Sequence, residues 1–252
     1  MFTSIVIKFQ TAPTTPPPFS HFYTITLATN AVNGNAIKAS FELIYTDRVG
    51  FDADEIEAEG FTQNDDYTWS GLLPSVWTAE LERLVEKTKS FKPIEEKDTE
   101  DYLEVALLMD GQQRAGAPNN AAAWQYAAQE LVQAIYETAG RERPFDIELL
   151  RISNKRSILT KYTAVFATRQ FSKLTTANGK TLAEEQPWEA LEGVLKAMYT
   201  PDYFTDEATD RRPVEDGWYV LQPDGLWYEL DVAVVEPAGG ANALAGLQKL
   251  FS

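Results

Sequence analysis

The stretch "GWYVLQPDGLWYELD" (217–231) decides the fold. Pro223 supplies the fixed φ of a turn's second position and Gly225 the left-handed residue that completes it, so "QPDG" folds the chain back on itself. A three-residue loop, 223–225, sets Val220 opposite Tyr228 and Trp218 opposite Leu230. One face then carries Trp218, Val220, Leu226, Tyr228, Leu230, Val232 and Val234, which is a core face. The other carries Tyr219, Leu221, Trp227, Glu229 and Asp231. Aromatic rings beside carboxylates can stack on a sugar or hold a cation, so Tyr219, Trp227 and Glu229 are candidate ligand-binding residues. Cover by a helix or a second sheet is the plainer alternative.

Two further hairpins precede this one. "HFYTITLAT" (21–29) and "AIKASFELIYT" (36–46) alternate apolar and polar residues, and Asn33-Gly34 between them favours a tight turn. The other spans 145–171. With "NKRS" (154–157) as a four-residue loop, Phe145, Ile147 and Leu149 lie opposite Phe166, Ala164 and Tyr162 and form one apolar face. Extra strands are expected at 2–9 and 102–109. Helical stripes run through Trp77, Leu81, Leu84 and Val85, starting at Pro74 or Ser75, and through Trp124, Ala127, Ala128, Leu131, Val132 and Ile135 over 120–139. Asn119 or Asn120 caps the second and Gly140 ends it. A third helix starts at Pro187, buries Trp188, Leu191, Leu195 and Met198, and stops at Pro201; a short one closes the chain with Leu244, Leu247 and Leu250. Segments 47–73 and 110–120 show no period and are expected as loops.

Hairpins followed by helices define an α+β fold: mainly antiparallel sheet built from three hairpins plus extra strands, packed with about four helices. The chain is expected as a single α+β unit over 1–252, with the charged stretch 90–101 as a subdomain boundary separating 1–90 from 101–252. At 252 residues and 44% hydrophobic it can bury a sizeable core. No apolar run reaches membrane-spanning length, and the first residues have no basic segment before them, so they are expected as a strand and not as a secretion signal. The absence of cysteine removes disulfides and thiolate metal sites.

The net charge of −16 repels phosphate, which argues against direct nucleic-acid or anionic-membrane binding. Residues 42–66 hold nine carboxylates against Arg48, whereas 141–173 hold eight basic side chains against three acids. Two such regions can pair within the fold or between copies.

Familiar catalytic patterns are missing. His21 is the one histidine, and no Gly-x-Ser-x-Gly turn offers a nucleophile. "LTTANGKT" (174–181) resembles a phosphate loop but has Leu174 where its first glycine belongs; Asn178-Gly179 suits a plain turn. "DADEIEAEG" starts like a calcium loop, then places Ile56 at the third ligand. Asp52, Asp54, Asp65 and Asp66 are therefore the candidate ligands of a non-standard metal site, with a solvated acidic loop as the default. Asp146, Glu148 and Lys161 on one hairpin face are expected as a salt-bridged ladder. No motif identifies a family, and the chemistry leans against an enzyme, with no cofactor expected. The reading that follows is a non-catalytic cytoplasmic protein working through protein–protein contacts or self-association as a homo-oligomer. The alternatives are a small-molecule or carbohydrate-binding protein, a carboxylate-dependent hydrolase, and an acidic decoy of a nucleic-acid-binding partner.

Overall fold

The structure is a computed structural model that describes residues 2–29, 36–95, 97–240 and 242–251. The fold is α+β and dominated by mostly antiparallel sheet. Two compact units divide it, one of 2–142 with 166–168, the other of 143–165 with 169–251.

In the first unit the order is β1 (Ser4–Gln10), β2 (His21–Thr29), β3 (Ile37–Tyr45), α1 (Ala53–Ala58), β4 (Tyr67–Leu73), α2 (Val76–Lys87), β5 (Phe91–Lys92), β6 (Tyr102–Met109), β7 (Gln112–Pro118) and α3 (Ala121–Thr138). The strands form one seven-stranded sheet in the order β4-β3-β2-β1-β6-β7-β5. Strict alternation puts Ile5, Ile7, Ile25, Leu27, Ala39, Phe41, Val105 and Leu107 on one buried face. A single row across it reads Trp69, Phe41, Ile25, Ile7, Val105, Gly116. Helix α3 lies against that face, with Tyr136 meeting Phe41 edge-on at 5.9 Å. Trp124 of α3 donates its indole N–H to Thr88 Oγ1 at the end of α2, 2.9 Å, so the two helices are tied by a satisfied buried donor.

The second unit runs β8 (Phe145–Ser153), β9 (Arg156–Val165), β10 (Gln170–Ala177), β11 (Lys180–Gln186), α4 (Ala190–Tyr199), β12 (Asp202–Tyr203), a 3-10 turn, β13 (Gly217–Leu221), β14 (Trp227–Glu229), β15 (Val234–Val235) and α5 (Ala243–Lys249). Its six-stranded sheet has the order β11-β10-β9-β8-β13-β14, and β12 pairs with β15. Setting β5 and the β12–β15 ribbon aside, both units follow one route. A four-stranded meander leads into a helix, the next long strand returns beside the first, its neighbour follows, and a helix closes. Helix α5 caps one sheet face, where Phe251 meets Trp218 at 5.0 Å and Leu250 O accepts the Tyr162 hydroxyl at 3.0 Å.

Several expectations change. Segment 47–73 contains α1 and β4, and 110–120 is β7 after a turn at Asp110 and Gly111, both at positive φ. Glycine and proline disguised β7, yet Gly116 is required there, because a Cβ on it would collide with Lys92 O of β5. The β8–β9 hairpin closes on two residues, Asn154 and Lys155, with φ of 51° and 59°. Phe145 therefore faces Ala164 and Ile147 faces Tyr162, two residues away from the expected register. A shift of two keeps every side chain on its face, so alternation is blind to it. Segment 170–186 is the hairpin β10–β11, turning at Asn178-Gly179, and no phosphate loop. Helix α4 begins at Ala190, and Trp188 is half-buried with Arg169 5.0 Å above its ring. The stretch 90–101 lies inside the first unit, where β5 pairs with β7. The expected turn at Asn33-Gly34 lies outside the described residues.

Candidate functional site

The aromatic hairpin has the expected register, Val220 facing Tyr228. Its second face is closed. Tyr219 and Trp227 are 5% and 6% exposed and pack with Leu150 and Ile152, flanked by Leu159 and Leu221. The Tyr219 ring lies over Gly217, where a Cβ would come within 2.5 Å of the hydroxyl oxygen, and that hydroxyl donates to Glu215 O at 3.3 Å. Burial raises the Tyr219 hydroxyl's pKa above its ordinary value, and the charges of Glu229 and Glu215 add to it. Glu229, half-buried, stands opposite Tyr219. The three residues are neighbours, but the rings form a second apolar cluster and offer no open platform.

The acidic segment is spent on its own architecture. Asp52 stands at the N-cap of α1, where its N–H donates to Glu55 Oε2 at 3.3 Å, and Asp54 lies in that helix's first turn. Asp66 Oδ1 accepts the Tyr45 N–H at 2.8 Å. Asp65 Oδ2 accepts from Arg48 Nη1 at 2.7 Å, and its two oxygens accept from Thr62 N and Oγ1 at 2.8 and 2.6 Å. Burial pushes the Asp65 carboxyl up, but the Thr62 donors and the Arg48 donor and charge outweigh it and hold it below the ordinary value. Among the described residues no group of three or more histidines, cysteines or carboxylates is placed to hold a metal ion, so these four aspartates are not drawn into one site.

A different cluster is drawn together, at the ends of β3, β4 and α3. The ring of Tyr67 lies 5.5 Å from Tyr136, and both meet Phe41, at 6.2 and 5.9 Å. Arg141 stacks its guanidinium 4.2 Å from the Tyr67 ring centroid and 5.9 Å from Tyr136. Beside them Arg48, 8% exposed, sits 3.8 Å from the Tyr45 ring and 5.1 Å from Phe61. Thr62 O and Pro18 O accept from Arg48 at 2.6 and 3.0 Å and lock it in place. His21 closes the row, its ring 5.6 Å from Tyr45 and its Nδ1 2.8 Å from Phe19 O.

Burial pushes the Tyr136 hydroxyl up to about 12, with Tyr45, Glu142 and Tyr67 adding to the rise and Arg141 opposing it. Tyr45 is also raised by burial, against the charge of Arg48. Both are therefore neutral donors at pH 7. Among the described residues the hydroxyls of Tyr45, Tyr67 and Tyr136 find no hydrogen-bond partner, and Arg141 finds no carboxylate. Neutral hydroxyls beside cationic planes can accept carboxylates, amides and aromatic rings.

This cluster was missed from sequence. Its members are separated by up to 120 residues, His21 to Arg141, and each has an ordinary local explanation as a strand residue, a helix residue or a charged residue. One signal was available: Tyr136 falls beside the apolar stripe of α3 and is half-buried.

Two clefts open on the surface. The larger, about 920 Å³, lies in the first unit beside the start of α3. Its charges are largely engaged: Lys97 bonds Glu100 at 2.8 and 2.9 Å, and Asp101 accepts Ala12 N at 2.9 Å. The smaller, about 560 Å³, is at the β8–β9 turn between Arg151 and Arg156. The basic stretch is locally occupied as well. Lys161 bridges Asp146 at 2.5 Å and Glu148 at 3.5 Å, the expected ladder, and Arg151 stacks 4.8 Å from Trp218. No helix among the described residues is long and apolar enough to cross a membrane. Compared with known proteins, no family model, no curated protein and no solved structure matches the chain.

Proposed function

We propose that the protein acts by binding other proteins, copies of itself included, through the tyrosine–arginine surface of its first unit, and that it works in the cytoplasm without catalysing a reaction. The observation that carries this is the group of unpartnered hydroxyls of Tyr45, Tyr67 and Tyr136 beside Arg141. Tyrosine and arginine are enriched among the residues that dominate binding energy at protein interfaces, tyrosine because it brings large contact area and a polar tip on two torsions, arginine because its planar fork of donors is pre-organised. The net charge of −16 favours a protein partner over nucleic acid. The lack of cysteine is in keeping with a reducing compartment.

Native mass spectrometry of the wild type and of Tyr67→Ala/Arg141→Ala, at low and moderate ionic strength, tests it. Assemblies above the 28.2 kDa chain that are present in the wild type and lost in the variant support it. A monomer in both cases, or an assembly unchanged in the variant, sinks self-association through this surface; if, in addition, the wild type retains no protein from a cell lysate that the variant loses, the whole reading falls. A second reading, binding of a small polar ligand, draws on the 920 Å³ cleft, and an adduct of discrete mass retained by the variant would favour it.

A further inference from the structure

We infer that β11 is a strand-pairing edge whose occupant is β11 of a second copy of this chain. This rests on the binding reading above but uses another surface. β11 is the outer strand of its sheet, and six of its seven residues are exposed, Leu182 at 60%. The opposite edge is already occupied: Thr209 exchanges both backbone hydrogen bonds with Trp227 of β14, at 3.0 and 2.8 Å. Exposed edges invite pairing, and proteins guard them with charge.

The turn fixes which groups face outward. Asn178 and Gly179, at φ 51° and 73°, make a two-residue hairpin closed by the pair Ala177 and Lys180. From that hydrogen-bonded pair the ladder alternates. Lys180, Leu182 and Glu184 turn their N–H and C=O groups to β10, and Thr181, Ala183 and Glu185 present theirs outward. An antiparallel two-fold partner must match outward residues to outward residues, which rules out any one-residue shift. Centred on Leu182, the pairing sets Thr181 against Ala183 twice, Leu182 against itself, and Lys180 against Glu184 twice. Centred on Ala183 instead, it sets Leu182 against Glu184 and loses both gains. The guard charges Lys180 and Glu184 are thus complementary to their own copy. Within one chain Glu184 stands opposite Lys173 on β10, so its second flank is the one facing a partner.

The test is sedimentation equilibrium of the full chain over a range of concentrations. The wild type is expected to dimerise. Lys180→Glu and Glu184→Lys, both at exposed positions, each place like charges opposite one another twice and should weaken the dimer about tenfold or more. Mixing the two variants restores opposite charges at both pairs, so a heterodimer as tight as the wild type supports the assignment. A monomeric wild type overturns it and removes self-association from the functional reading, while the tyrosine–arginine surface is still decided by its own variant. A dimer indifferent to both substitutions also overturns it, but leaves self-association standing at another surface.

Discussion

The two units follow one strand route under different cover. In the first, the fourth strand β4 is half-covered along its length and ends at buried Leu73; α3, eighteen residues long, reaches this side of the sheet through Tyr136. In the second, the fourth strand β11 is bare on both faces, and the closing helix α5 has seven residues. The row of side chains facing the helices explains the contrast. It is apolar from Trp69 to Val105 in the first unit. In the second it runs Leu182, Thr175, Thr160, Leu149, Val220, Tyr228, so along this row the unbroken apolar run starts only at β8. The second unit compensates on the opposite face with the Leu150–Ile152–Tyr219–Trp227 cluster. A shared route therefore does not dictate where the core lies; the side chains on each strand and the length of the covering helix do.

The contrast can be broken most severely at α3. Trp124→Ala should destabilise the chain by about 3–5 kcal/mol in urea denaturation, since it removes a fully buried ring and its hydrogen bond to Thr88. Next come the two fourth strands. Leu73→Ala should cost about 2–4 kcal/mol, and a loss under 1 kcal/mol would mean β4 is no better covered than β11. Gly217→Ala, which drives a methyl into the Tyr219 ring, should cost about 1–3 kcal/mol. The smallest effect is expected at Leu182→Thr, within about 0.5 kcal/mol for the monomer at low concentration.

Acid sharpens the picture for the first unit alone. The folded Asp65 carboxyl titrates below its ordinary value of 3.8, so its stabilising contribution is complete above that pH and drains away as pH falls through the lower, folded value. Asp65→Asn should therefore differ from the wild type in urea midpoint at pH 6, and the two should converge as the pH drops below 3.8. A gap that persists unchanged into stronger acid would contradict the Arg48–Asp65 account.

Sequence reasoning succeeded where one residue type forces one geometry. Pro223 and Gly225 fixed a register that the structure reproduces, and the stripe of α3 located that helix within a residue or two. It failed where the decisive fact is tertiary. Lys155 gives no sign that it adopts φ 59°, so the β8–β9 register slipped by two. Gly116 and Pro118 look like loop residues until Lys92 O is seen against the bare Cα. The tyrosine–arginine cluster needs three elements in register before it exists at all. The repeated route was hidden for a related reason: alternation can be met by Ile in one unit and by Thr in the other, leaving no similarity to find.

The distribution of indole rings has a practical consequence. Six tryptophans divide evenly, Trp69, Trp77 and Trp124 in one unit and Trp188, Trp218 and Trp227 in the other. Each half of the molecule thus carries its own intrinsic fluorophores. Two versions of the chain, each with the tryptophans of one unit replaced by phenylalanine, would emit from a single half. Comparing their emission through a denaturant titration would report whether the two halves melt together or one after the other.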